Sequence, residues 1–207
     1  MEKQKNIPVL RFPEFKGEWE RKKLGDLTDV ITKGTTPYKF TYAGIKFIKI
    51  ECFDGDRINP NKCLFIDEKT HNKELKRSIL HEGDILFAIA GATIGKVNIV
   101  TKEILPANVN QALAIVRLRT DENRNFVYQI LKSNVMQKYI VDSISVGAQP
   151  NLNLEQMNNF SFNYPTLSEQ TRIASFFTVL DKKITELKQK KTLLAQYKKG
   201  FLQKMFC

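Results

Sequence analysis

The sequence predicts an α+β fold, in which a mixed α/β domain over residues 1–165 is followed by one long helix over residues 166–207. Short runs of β-branched and aromatic residues, bounded by Gly, Asn, Asp or Pro, indicate strands in the first part. In the second part, apolar residues recur at an average spacing of 3.5, which is typical of a coiled coil. A chain of 207 residues can bury one substantial core and carry one additional element.

Five runs in the first part have the composition of strands. They are "IKFIKI" (45–50), "DILFAIAG" (84–91), "KVNIV" (96–100), "QALAIVRLR" (111–119) and "NFSFNYP" (159–165). In the last run, Phe160, Phe162 and Tyr164 alternate with polar residues, as expected of a half-buried strand. Residues 121–140 instead predict a helix, because their apolar residues recur near a spacing of 3.6. These are Phe126, Ile130, Leu131, Val135 and Tyr139.

The C-terminal helix is predicted to begin with a capping box formed by Thr166 and Glu169. Its apolar stripe consists of Ile173, Phe177, Leu180, Ile184, Leu187, Leu194, Phe201 and Met205, and Lys191 and Lys198 occupy the two remaining places. A helix of about 40 residues is about 60 Å long. The stripe needs a second long helix unless the helix folds back onto its own domain, and both arrangements stay open. No Pro or Gly precedes Gly200 to provide a hinge.

The charge balance favours a polyanionic partner. The chain has 33 Lys and Arg against 22 Asp and Glu, a net charge of +11. Nucleic acid is the commonest polyanion in a cytosol, although a basic surface can also serve solubility alone. Residues 181–207 hold eight lysines and two acidic residues, so +6 of the net charge lies on the predicted helix.

Composition also bears on location and metal binding. The longest apolar runs fall short of the roughly 20 residues of a membrane span, and the N-terminus resembles no signal peptide, so we expect a cytoplasmic protein with no membrane contact. Three scattered cysteines, Cys52, Cys63 and Cys207, agree with a reducing compartment. If Cys52, Cys63, His71 and His81 were zinc ligands, the spacings between them would be unlike those of a zinc site. We therefore expect no metal.

The stretch "GATIGK" (91–96) resembles a nucleoside-triphosphate loop without matching it. Three residues instead of four separate the glycines, Val97 follows the lysine where Ser or Thr is required, and a strand-like run comes next. The stretch therefore predicts a turn between two strands. Its small residues would let backbone amides, Thr93 and Lys96 approach a phosphate or a base edge, or it is an ordinary hairpin turn.

Other enzyme classes lack their motifs. The only Asn-Pro, at 59–60, leads into Asn61 and Lys62, not into the Pro-aromatic pair of a DNA methyltransferase. A nuclease motif is approached only by "ELK" (74–76) with Asp67, in a charged and helical stretch. We therefore predict a binding protein and not an enzyme.

Seven segments, in order along the whole chain, closely resemble the specificity (S) subunit of type I restriction-modification systems. They are "LRFPEFKGEWERKKLGDL" (10–27), "TKGTTP" (32–37), "EGDILFAIAGATIGK" (82–96), "NVNQALAIVRL" (108–118), "GAQPNLNLEQMNNF" (147–160), "YPTLSEQTRIASFFTVLDKKI" (164–184) and "KKGFLQKMF" (198–206). The resemblance implies a target recognition domain that reads half of a split DNA site, followed by a spacer helix. The family's usual subunit has both modules twice, whereas this chain has each once, as a self-pairing half subunit or a truncated product would.

The resemblance also implies the partners. They are double-stranded DNA, methyltransferase (M) subunits that bind S-adenosylmethionine, and restriction (R) subunits that use ATP and Mg²⁺; we expect no cofactor on this chain itself. Two copies paired through antiparallel helices would form a homodimer that reads a symmetric target. The alternatives are an interaction or decoy protein that reads no DNA, an inactive truncation, and a nuclease acting alone.

Polar residues in loops beside the predicted strands are the candidates for DNA contact, with ordinary turns as the alternative at each position. These candidates are Lys33, Thr35, Thr36, Lys39, Thr93, Lys96, Asn110, Gln111, Gln149 and Asn151. Lysines would neutralise phosphates, whereas Thr, Asn and Gln can pair with base edges. Trp19 is predicted to pack beside Leu24 and Leu27.

Overall fold

The computed structural model describes residues 6–144 and 150–206. The strands are β1 (Glu20–Lys23), β2 (Thr28–Lys33), β3 (Ile45–Ile48), β4 (Phe53–Asp54), β5 (Arg57–Ile58), β6 (Leu64–Ile66), β7 (Ile85–Ala88), β8 (Val97–Ile99), β9 (Ala107–Val109), β10 (Leu113–Leu118) and β11 (Ser161–Tyr164). The helices are α1 (Arg124–Lys132), α2 (Asn134–Ser143), α3 (Leu154–Asn159) and α4 (Leu167–Phe206). The predicted α+β class and the long C-terminal helix are thus confirmed. Whether residues 1–165 and 166–207 behave as two separate domains stays a prediction.

A four-stranded antiparallel sheet in the order β2–β10–β7–β8 forms the central layer. Both of its faces are covered. On β7, Ile85 and Phe87 pack into one hydrophobic cluster with the helices, while Leu86 and Ala88 pack into a second cluster on the other face. Burial on both faces explains why this strand is a continuous apolar run without alternation.

Three smaller sheets surround this layer. β3 pairs with β6 and, in parallel, with β9, and β4 and β5 form a short hairpin. β1 pairs with β11, whose Phe160–Tyr164 stretch buries Phe162 and Tyr164 as its alternation predicts. β1 has the sequence ERKK and no apolar pattern, so it was not predicted; its partner strand supplies the buried side chains.

The predicted helix over residues 121–140 is two helices. Ser133 has extended backbone angles and caps α2 by accepting a hydrogen bond from the Val135 backbone N–H at 3.3 Å. The break shifts the helical phase, so Val135 is 52% exposed and Met136 is buried in its place. The assignment of Val135 to the apolar face was wrong for this reason.

α4 is fixed to the domain only at its base. Ala174 is buried, and the Asp181 carboxylate accepts from Gln129 Nε2 on α1 at 3.0 Å. Beyond Asp181, every residue of the described helix except Gly200 is exposed. About 38 Å of helix therefore extends away from the α/β domain without contacting it, and the fold-back arrangement is not adopted.

Candidate nucleic-acid interface

The central sheet brings several predicted loops to one edge. β2 and β7 both pair antiparallel with β10, so the ends of β2 and β7 lie beside the start of β10. The start of β8 lies next to the end of β7. Residues at or just after the ends of β2 and β7, and just before the starts of β8 and β10, therefore meet at one edge of the sheet. We name this region the polar edge. Its members are Lys33, Thr35, Thr36, Thr93, Lys96, Asn110, Gln111 and Asn151.

The end of β2 lies against the connection between β9 and β10. The Gly34 backbone N–H donates to the Leu113 carbonyl at 3.4 Å. A Cβ atom at Gly34 would lie only 1.8 Å from the Val109 carbonyl oxygen, so only glycine allows this approach. The close contact places Thr36 near Gln111, and the Thr36 hydroxyl donates a hydrogen bond to the Gln111 side-chain oxygen. Two exposed predicted residues are thereby held together.

Asn110 and Gln111 are adjacent in sequence but differ in environment. Gln111 is exposed, whereas the Asn110 Oδ1 atom is buried and has no hydrogen-bond partner among the described residues. The Asn110 backbone donates to the Ile48 carbonyl at 3.2 Å and accepts from the Leu113 N–H at 3.3 Å. A shielded oxygen cannot meet a base edge without rearrangement, so we infer that Asn110 holds the loop in place and that Gln111 is better placed for contact.

The 91–96 stretch is a tight turn between β7 and β8, as predicted. Gly91 and Gly95 have φ of +77° and +87°, a region that disfavours other residues. A strand follows the turn where a phosphate-binding loop would need a helix, so its local structure differs from that of a nucleoside-triphosphate loop. Lys96 is exposed and Thr93 is half-buried.

Asn151 joins this turn from a distant part of the chain. It forms an isolated β-bridge with Ala90, and the Gly91 N–H donates to the Pro150 carbonyl at 2.9 Å. Asn151 is itself exposed. Gln149, which was predicted with it, lies outside the described residues.

Lys39 lies apart from the polar edge. Its charge helps to lower the Asp67 pKa, and nearby Thr41 bridges Phe65 on the neighbouring sheet. The loop that contains Lys39 also presents Tyr38, which is 99% exposed. A fully exposed aromatic ring beside a lysine suits stacking against a nucleobase.

Residues 70–78 were considered only for a zinc ligand, His71, and for the weak nuclease triplet at 74–76, yet they border the polar edge. Arg77 Nη2 donates to the Thr35 hydroxyl at 3.3 Å. Thr35 and Lys73–Ser78 together line a surface cleft of about 610 Å³. Because this contact spans 42 residues of sequence, no local pattern could have indicated it.

The predicted pairing stripe lies along α4. Ile173 packs partly against the domain core. The other members are all exposed, with exposed fractions between 41% at Leu180 and 73% at Met205; they are Phe177, Leu180, Ile184, Leu187, Leu194, Phe201 and Met205. A row of exposed apolar side chains on a projecting helix is a surface suited to another helix.

The four zinc candidates are separated by their environments. Cys52 and Cys63 are buried in the second hydrophobic cluster, where the Cys52 thiol donates to the Lys62 carbonyl at 3.4 Å and the Cys63 thiol to the Asn59 carbonyl at 3.6 Å. His71 is hydrogen-bonded to Asn108, and His81 is exposed. Across residues 6–144 and 150–206, no three or more His, Cys, Asp and Glu side chains are grouped to hold a metal ion. In the same ranges, no helix is both long and apolar enough to cross a membrane.

An α/β domain with a long projecting helix is also the architecture of solved type I restriction-modification subunits. The chain matches a structure of type I system assembly with a TM-score of 0.60 and 20% identity, over 87% of this chain and 43% of that one. It matches the HsdS subunit of Thermoanaerobacter tengcongensis with a TM-score of 0.59 and 21% identity, over 88% of this chain and 41% of that one. At these identities the comparison establishes the fold.

The sequence establishes the family. Residues 16–196 match the type I restriction modification DNA specificity domain, and the chain belongs to this family. It is 26% identical to a specificity subunit of Methanocaldococcus jannaschii over 99% of this chain and 49% of that protein. It is 32% identical to the EcoBI specificity subunit of Escherichia coli over 63% of this chain and 27% of that protein. The chain thus spans about half the length, or less, of the curated relatives it matches.

Membership confirms two predictions from the sequence. The chain is a specificity-type domain of the type I restriction system, and it is a non-catalytic member of such a system. The individual DNA-contacting residues and the pairing of the helix remain predictions.

Proposed function

We propose that the chain recognises one half of a bipartite DNA target and that the polar edge makes the sequence-specific contacts. The single observation that carries this proposal is the convergence of loops from β2, β7, β8 and β10 at one edge of a rigid sheet. Exposed lysines there can neutralise phosphates, while the neighbouring amides and hydroxyls can pair with bases. A rigid sheet is a suitable support because base discrimination requires side chains held within about 0.5 Å.

We further propose that two copies pair through antiparallel α4 helices. Beyond Asp181, every member of the stripe is exposed in the described helix, so a second long helix would bury these side chains. Antiparallel pairing would set two recognition domains at opposite ends of a strut and direct them to inverted half-sites. The length of α4 would then fix the spacing between the half-sites.

The assembly would act together with methyltransferase and restriction subunits in the cytoplasm. S-adenosylmethionine, ATP and Mg²⁺ belong to those partners in this proposal. The lysines beyond Asp181 make the strut strongly basic, which suits contact with an acidic surface of a partner subunit.

Salt-dependent binding to a duplex of random sequence tests the DNA-binding part. The logarithm of the association constant should fall linearly with the logarithm of salt concentration, with a slope of about −0.9 per neutralised phosphate. The double variant Lys33→Gln/Lys96→Gln should flatten that slope by about 2. The matched control, Lys188→Gln/Lys190→Gln, removes the same charge from the strut and should leave the slope unchanged.

Two results would contradict the proposal. Negligible affinity even at low ionic strength would favour a protein that reads no DNA. A flattened slope in the strut variant alone would show that α4, and not the polar edge, binds the duplex. Mapping of methylated sites in a genome with and without the gene would then identify the target sequence.

A further inference from the structure

A short helical segment forms a cationic wall beside the polar edge. A π-helical turn at Thr70–Glu74 is followed by a 3-10 turn at Lys76–Ser78. The segment buries Thr70, His71, Leu75 and Ser78 and exposes Lys73, Glu74, Lys76 and Arg77 toward solvent. Short π-helical turns are found disproportionately at functional sites. Here the turn sets three cationic side chains on the same cleft as Thr35.

A buried polar network fixes this segment to the sheet. Asn108 on β9 is fully buried, and its Nδ2 donates to the Leu75 carbonyl at 2.9 Å and to Ser78 Oγ at 3.1 Å. Its Oδ1 accepts a hydrogen bond from His71 Nδ1. Asn108 precedes Gln111 by only three residues, so one strand end holds both the helical segment and the loop of the polar edge.

Arg77 is the residue of this segment that reaches the polar edge. Its Nη2 donates to Thr35 Oγ1 at 3.3 Å. Within the described residues, no carboxylate lies within 4.0 Å of its guanidinium, whereas Arg11 and Arg117 are each paired with a carboxylate that is 1% exposed. Arg77 is therefore partly oriented by a neutral hydroxyl and keeps most of its donors available to a ligand.

We infer that Arg77 reads a guanine in the DNA target, donating two hydrogen bonds to O6 and N7, while Lys73 and Lys76 contact neighbouring phosphates. The inference rests on the proposed function. The planar guanidinium matches the two acceptors that guanine presents in the major groove, and a single ammonium does not reproduce that pair of directed bonds. Orientation by Thr35 lowers the entropy lost on binding.

Selection from a pool of randomised duplexes tests this role, with the full chain as wild type, Arg77→Lys and Arg77→Ala. We expect the wild-type motif to contain one G·C pair whose preference falls about 5- to 150-fold in both variants, the range expected for one bidentate contact. Arg77→Lys should keep its affinity for random duplex, because the charge is retained. The matched control is Arg57→Lys, an exposed arginine in the β4–β5 hairpin, which is paired with Asp54 and should leave the motif unchanged.

The outcomes separate the inference from the proposed function. If the wild-type chain selects no motif, the proposed function itself fails. A wild-type motif that Arg77→Lys retains at every position overturns only the role of Arg77, and uniform weakening in Arg77→Ala alone would make Arg77 a phosphate contact. A wild-type motif that contains no G·C pair also overturns the assignment of Arg77 to a guanine. Arg77 is exposed, so thermal unfolding of each variant should match that of the wild type.

Discussion

Arg11 and Glu169 form a bidentate ion pair that joins the N-terminal segment to the base of α4. Arg11 Nε and Nη2 each donate to a Glu169 carboxylate oxygen at 2.7 Å, across 158 residues of sequence. Trp19 Nε1 donates to the same carboxylate at 3.2 Å. The hydrogen bonds with Glu169 raise the pKa of Arg11. The Glu169 carboxylate is therefore used in tertiary structure, and the predicted capping-box role for it was wrong.

Replacement of Glu169 by glutamine should destabilise the fold by about 2–3 kcal/mol, because it leaves Arg11 without its charged partner at a site where the carboxylate is 1% exposed. Chemical denaturation measures this change in the free energy of unfolding. The control is Glu186→Gln on the same helix, where the pair with Lys183 is exposed and 3.8 Å long. That variant should differ from wild type by less than about 0.5 kcal/mol, and an equal loss in both variants would contradict the assigned role.

The close approach at Gly34 gives a second prediction, concerning the polar edge. In Gly34→Ala, the new Cβ would meet backbone atoms at 1.8 Å, which cannot move as a flexible side chain can. We expect a loss of about 2–3 kcal/mol in the free energy of unfolding. Gly200→Ala is the control, because a Cβ there meets nothing within 4 Å and the site is helical. It should stabilise the protein by about 0.5–1 kcal/mol. An unchanged stability in Gly34→Ala would mean that the β2 end does not pack as described.

The elements that sequence predicted well are those whose own side chains are buried. β7, β10 and β11 contain continuous or alternating apolar residues, and their strand character is visible without knowledge of their partners. β1 is the counterexample, because its ERKK sequence becomes a strand only through pairing with β11. The split between α1 and α2 was missed because Ser133 is a cap whose effect depends on the turn that follows it.

The polar edge was predicted as separate loops but not as one surface. Loops at 33–36, 91–96 and 110–111 carry suitable residues, yet only the strand order brings them together. Trp19 shows the same limit, since it was expected beside Leu24 and Leu27 but lies against Glu169 on α4. The contact between Arg77 and Thr35 spans 42 residues of sequence, and that between Trp19 and Glu169 spans 150. Such contacts depend on the topology of the fold and leave no local signal in the sequence.

Asp67 gives a prediction that depends on pH. The Thr70 backbone N–H donates to Asp67 Oδ1 at 2.7 Å, and this bond is the main cause that lowers the Asp67 pKa. A carboxyl group with a lowered pKa in the folded state adds stability above its unfolded value of about 3.9, and that stability is lost as pH falls through the folded pKa. The melting temperature of Asp67→Ala should therefore lie below that of wild type at neutral pH, with the gap closing in strong acid.

The neighbouring variant Glu68→Ala controls for loss of a surface charge in the same turn. Glu68 is exposed, and its carboxylate accepts no hydrogen bond in the described structure. Its melting temperature should follow the wild type at every pH. If the difference in melting temperature between Asp67→Ala and wild type stays constant down to strong acid, the stabilising contact with Thr70 does not depend on the charge of the Asp67 carboxylate.

The pairing face of α4 can be tested with two leucines of nearly equal exposure. Leu187 belongs to the predicted stripe and is 54% exposed, whereas Leu193 is 56% exposed and lies about 120° away around the helix. Glutamate at Leu187 would place a charge in each copy's seam and should convert the dimer to a monomer in light scattering or sedimentation. Leu193→Glu makes the same chemical change off the stripe and should leave the dimer intact. If Leu193→Glu alone dissociates the dimer, the interface lies on the helix face that Leu193 shares with Tyr197 and Gly200. If the wild-type chain is a monomer at micromolar concentration, self-pairing is excluded, and α4 can pair only with a different specificity chain.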